Sequence, residues 1–192
     1  MGSIITPDQV RDYMFQVYFG DYRDPFKAAV KRAYLDFNRT LHEFGKNKHR
    51  QETYVQAEQQ LIIQLQSMLT DKIANQEQYD KWHRDCCDQL IETFRSVGQH
   101  KMYYGQAQKW INMALKYLFV LDRELTSRNY RYFHIPIDNI VLEKLASMNK
   151  PPVLTTAWSR LDSYEEYLRF QARYRSAFAG IPMDNEFTLW MK

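Results

Sequence analysis

Two cysteines, six glycines and six prolines are all that 192 residues contain of the types that most strongly cross-link or punctuate a chain. The cysteines are the neighbours Cys86 and Cys87. Adjacent cysteines seldom bridge one another, so no disulfide framework is expected, and a reducing, intracellular (cytoplasmic) setting fits. No apolar run approaches the roughly 18 residues a membrane span needs, so no membrane partner is expected. The opening MGSIITPDQVRDYM lacks a basic region followed by an apolar core, which argues against secretion. Met1-Gly2-Ser3 matches a myristoylation signal only in part. Charge of one sign is also scarce: 26 Lys and Arg against 23 Asp and Glu leave +3, too weak a balance to imply nucleic acid unaided. With no internal repeat or low-complexity tract, a single domain over residues 1–192 is expected.

What the chain does have is helical periodicity, with apolar positions recurring at three and four rather than at two. Thr6-Pro7-Asp8-Gln9 reads as a cap, a proline at the first helical position and a capping-box glutamine, so a helix runs to about Phe19 before Gly20. A second helix starts near Asp24-Pro25 and carries Phe26, Ala29, Val30, Ala33, Tyr34, Phe37 and Leu41 up to Gly45. Further helices are predicted from about Glu52 to Asn75, from Gln76 to Val97 and from 106 to 121. An irregular stretch, RELTSRNYRYFHIPID, leads to a helix from Asn139 to about Met148 capped by Asp138. Pro151-Pro152 breaks the chain, and Ser163-Tyr164-Glu165-Glu166 opens a last helix to Phe178. The tail MDNEFTLWMK is too short to classify.

The helix over 106–121 is apolar on nearly every side, yet it carries Lys109. A helix of that kind is normally buried, and a buried ammonium is costly unless it is paired or loses its proton. Gly105-Gln106-Ala107-Gln108-Lys109 and, 29 residues after the lysine, the turn HIPID ending in Asp138 supply the context. Together they resemble the helix-hairpin-helix DNA glycosylase superfamily, which has a G-x-G-x-K hairpin and an apolar-Pro-apolar-Asp turn opening the next helix. The spacing and the IPID turn look most like the archaeal 8-oxoguanine DNA glycosylase branch. Ala107 stands where the second hairpin glycine is usual, and SVGQHKMYYG departs from a regular first hairpin. The likeness covers residues 98 to about 148.

The resemblance implies an all-α, two-lobed fold with a divergent helix-hairpin-helix and a cleft between the lobes. It implies a DNA N-glycosylase, with AP lyase activity, in which Lys109 is the nucleophile and Asp138 stabilises the sugar cation. The partner would be double-stranded DNA containing a modified base, bound by a monomer in a DNA-associated role. No metal or organic cofactor is implied, because an amine and a carboxylate suffice for this chemistry. Capping a helix is a second account of Asp138, and the two roles are compatible.

Other residues are open to two readings each. Trp110 and Phe133 either stack on an extruded base or fill the core. His134, next to the turn, either lines a base pocket or is a satisfied structural histidine. Gln106, Gln108 and Asn112 either meet a base edge or are solvated. The hairpin Gly105, Gln106 and Ala107, with Lys101, Arg128 and Arg131, are candidates for DNA backbone contacts, against plain surface charge. His83, Cys86 and Cys87 share a helix face but lack a fourth ligand for a tetrahedral metal, so buried thiols are the better reading. The rival in another class is a non-catalytic all-α module that binds nucleic acid or protein.

Overall fold

The computed structural model describes residues 4–148 and 154–191, and among these it contains helices and no strand. Met1-Gly2-Ser3 and the Pro151-Pro152 break lie outside the described residues. The helices are α1 (Pro7–Phe19), α2 (Pro25–Phe37), α3 (Arg50–Thr70), α4 (Gln76–Ser96), α5 (Tyr104–Leu121), α6 (Arg123–Ser127), α7 (Asn139–Ser147), α8 (Tyr164–Ala177) and α9 (Pro182–Met191).

Local chemistry explains most of the boundaries. Thr6 caps α1 with a full capping box, Pro7 occupies the first helical position, and Gly20 leaves the helix at φ 75°. Asp24, Asn75, Asp138 and Ser163 each accept an amide at the start of α2, α4, α7 and α8. α2 stops at Phe37 rather than reaching Leu41. There the Thr40 hydroxyl donates to the Phe37 carbonyl at 2.8 Å, and the chain tightens into a 3-10 turn. α3 ends at Thr70 and not at Asn75, because Asn75 is needed, in extended conformation, to cap α4. The irregular stretch after α5 holds the short α6 and a 3-10 turn at Tyr130–Tyr132, and the tail folds as α9.

α5 is the axis of the fold. Every residue from Gly105 to Leu118 is buried, with α2, α4, α6 and α8 packed against the helix. Trp110 shows why: it is fully buried, its indole N–H donates to the Val30 carbonyl at 2.9 Å, and its ring lies 5.1 Å from Tyr34 and 5.6 Å from Phe37. The buried apolar side chains of α2, α3, α4, α5, α7, α8 and α9 join in one cluster. A division into two lobes is not seen among the described residues.

Candidate active site

Lys109 sits in the second turn of α5, and Asp138 arrives beside it at the end of the extended segment 133–138, immediately before α7. Lys109 Nζ lies 2.5 Å from Asp138 Oδ2. Both are buried, at 3% and 9% exposure. The other oxygen, Oδ1, accepts the Val141 amide at 2.8 Å. Capping and ion pairing therefore coexist in one carboxylate.

The pair forms part of the wall of a cavity of about 780 Å³. α1 and α2 supply the opposite side with Tyr18, Phe19, Arg32 and Asp36, while Trp158 and α9 close the rest with Phe187 and Trp190. Arg32 reaches Asp36 at 3.3 Å and lies 4.2 Å over the Tyr18 ring. Tyr117 donates to the other Asp36 oxygen at 2.6 Å and meets the Tyr18 hydroxyl at 2.9 Å. Burial, and the hydrogen bond to Asp36, raise the Tyr117 phenol well above its ordinary value, so it acts as a donor.

A second ion pair borders the same space. Lys116, two turns beyond Lys109, contacts Glu186 of α9 at 2.5 Å and lies 4.6 Å over the Phe187 ring. Burial pushes the Glu186 carboxyl up and the Lys116 ammonium down, each opposed by the other's charge. The second Glu186 oxygen is buried without a hydrogen bond. The sequence carried one signal for Lys116, since it recurs seven residues after Lys109 on an apolar helix. Nothing local singled out Asp36, Tyr18 or Trp158, which reach the cavity from remote parts of the chain, or Glu186, which lies buried behind Lys116.

The other candidates fall elsewhere. Trp110, Phe133, His134, Gln108 and Asn112 are fully buried and none lines the cavity. This corrects their assignment to a base pocket. Trp110 fills the core against α2. Phe133 packs 5.9 Å from Tyr79 and 5.6 Å from Tyr130. His134 is held at 2.7 Å by the Tyr167 hydroxyl and at 2.8 Å by Asp80, and burial pushes its imidazole down to about 4. Gln108 and Asn112 bond the backbone of 135–137 within the core.

The amides of residues 105–107, which lie in the first turn of α5, are also occupied. Gly105 N–H donates to the Leu161 carbonyl at 3.0 Å, and the Gln106 and Ala107 amides both turn back to Tyr103. They are not free for phosphate, which corrects that expectation for Gly105, Gln106 and Ala107. A Cβ on Gly105 would lie 1.6 Å from the Trp158 carbonyl oxygen, so this glycine serves a close backbone crossing within the protein. Lys101 pairs with Asp162 at 2.7 Å and lies 4.5 Å over Tyr103. Arg128 donates to the Thr70 carbonyl at 2.7 Å, and Arg131 is exposed.

Cys86 and Cys87 are buried, free thiols, and burial pushes both up. Among the described residues no three His, Cys, Asp or Glu side chains are grouped to hold a metal, and no helix is long and apolar enough to cross a membrane. Compared with known protein families, curated proteins and solved structures, the chain matches none.

Proposed function

We propose that the protein is a DNA N-glycosylase with lyase activity, working at the Lys109–Asp138 pair. The observation that carries this reading is a lysine amine 2.5 Å from a carboxylate on the wall of an aromatic cavity of about 780 Å³. That volume is in the range of small-molecule sites, roughly 300–1,000 Å³. Its aromatic faces suit a base swung out of the duplex. As the N-glycosidic bond breaks, the electron pair leaves with the base and positive charge develops on the sugar, where the Asp138 carboxylate opposes it. Lys109 gives up its ammonium proton to Asp138 and then attacks the anomeric carbon as the neutral amine. Opening of the sugar ring leaves a Schiff base.

The test is a screen of duplexes carrying different modified bases, with 8-oxoguanine first, scored by chromatography of the released base. Release of one of them supports the reading. Duplex binding without release of any base favours the non-catalytic module. One observation favours the protein-binding form of that rival over any DNA partner: the amides of residues 105–107 and the Lys101 cation already have partners within the protein.

A further inference from the structure

Residues 133–138 are all buried but belong to no helix or strand. Their peptide groups need partners all the same, because an unpaired buried amide or carbonyl costs as much as a lost hydrogen bond. Two glutamine side chains supply them. Gln171 of α8 accepts the Ile135 amide at 3.2 Å and donates to the Ile135 carbonyl at 2.8 Å. Gln108 of α5 accepts the Ile137 amide at 3.2 Å and donates to the Ile137 carbonyl at 3.0 Å. Each carboxamide thus pairs both edges of one residue, as a neighbouring strand does in an antiparallel ladder. Pro136, between them, has no N–H to satisfy.

Gln108 is used to its full capacity. Besides its two bonds to Ile137, its oxygen accepts from Asn112 at 3.0 Å and its nitrogen donates to the Gly105 carbonyl at 2.9 Å. All four of its hydrogen-bonding positions are filled. Asn112 is fixed in turn by the Ile135 carbonyl at 3.2 Å, the Tyr167 hydroxyl at 2.9 Å and His83 at 3.1 Å.

Gln108 and Lys109 are consecutive, and so are Ile137 and Asp138, with the same offset of 29 residues in both pairs. From this we infer that Gln108 is a positioning residue: its carboxamide sets the register between α5 and segment 133–138, and so delivers the Asp138 carboxylate to Lys109. A slip of this contact moves the carboxylate away from the amine even though both helices stay formed. The consequence for catalysis rests on the glycosylase reading; the register claim does not.

The experiment measures how readily Lys109 is acylated by a small amine reagent, using full-length protein without DNA and peptide mapping by mass spectrometry. Parent, Gln108→Met, Asp138→Asn and the double variant are compared, with circular dichroism as the check on folding. Gln108→Met is expected to raise Lys109 labelling by about tenfold, a size typical of coupling within one hydrogen-bond network. The double variant is expected to label no faster than Asp138→Asn alone, because a residue acting through Asp138 has nothing left to act on. Multiplying effects in the double variant, or parental labelling in a folded Gln108→Met, overturns the proposal. Should Gln108→Met fail to fold, Gln108→Glu keeps the oxygen that accepts from Ile137 and loses the donor. Labelling intermediate between parent and Asp138→Asn then supports the register claim, and parental labelling refutes it. A parent that releases no base from any duplex removes the glycosylase reading and leaves this test in force.

Discussion

Asp138 divides its two oxygens between Lys109, at 2.5 Å, and the Val141 amide, at 2.8 Å. Asp138→Asn separates these roles, since asparagine still caps α7 but no longer carries charge. Removing one partner of a buried ion pair costs about 3–5 kcal/mol. Lys109 borders the cavity, so the low end is expected, about 3 kcal/mol in a denaturant melt. Base excision is expected to fall by roughly two orders of magnitude or more, the size of losing a preorganised electrostatic contact. A variant as stable and as active as the parent would contradict both assignments.

Gly105 touches the backbone of the segment that carries Trp158, with 1.6 Å between its hypothetical Cβ and the Trp158 carbonyl oxygen. Gly105→Ala must push α5 and that segment apart. The expected loss is about 3 kcal/mol of stability, at the upper end for overpacking, and it reads as a lower midpoint in thermal or denaturant unfolding. If the glycine instead serves the approach of a nucleic-acid backbone, the variant keeps its midpoint and loses only affinity for DNA.

Much of the fold was legible because its signals are local. Thr6, Asp24, Asp138 and Ser163 each announce a helix start within three residues, and the apolar circumference of 106–121 announces the central helix. Lys109 stood out for a related reason, since a charge on an all-round apolar helix demands a partner, while Asp138 was singled out by the HIPID turn that carries the family resemblance. The remainder of the cavity was not legible. Tyr18, Asp36 and Trp158 meet there only through packing of distant segments, and each is unremarkable in its own stretch of chain. Trp110 and His134 look the same in sequence whether they face a ligand or the core. Their environment decides: Trp110 is enclosed by Tyr34, Phe37 and Val30, and His134 by Tyr167 and Asp80.

The two buried histidines give the protein a predictable acid sensitivity. Burial holds His134 at about 4 and His83 well below the ordinary 6.5, so both are neutral in the folded chain at pH 7. Below pH 6.5 the unfolded chain takes up protons that the folded chain refuses. The stability is therefore fully present above about pH 6.5 and is lost as pH falls toward 4, by about 3 kcal/mol for His134 alone. His83 adds to the loss in the same direction. His134→Gln should flatten the slope of unfolding free energy between pH 6.5 and 4 by close to one proton; an unchanged slope would contradict the neutral assignment.

The central claim is that Lys109 is a nucleophile. It is tested by adding borohydride to the protein on duplexes containing an abasic site or a modified base, then mapping any reduced adduct by mass spectrometry. The account predicts a covalent adduct on Lys109 in the parent and its loss in Lys109→Gln, with the helical circular-dichroism signal retained. An adduct that persists in Lys109→Gln, or that maps to Lys116 or Lys101, contradicts it.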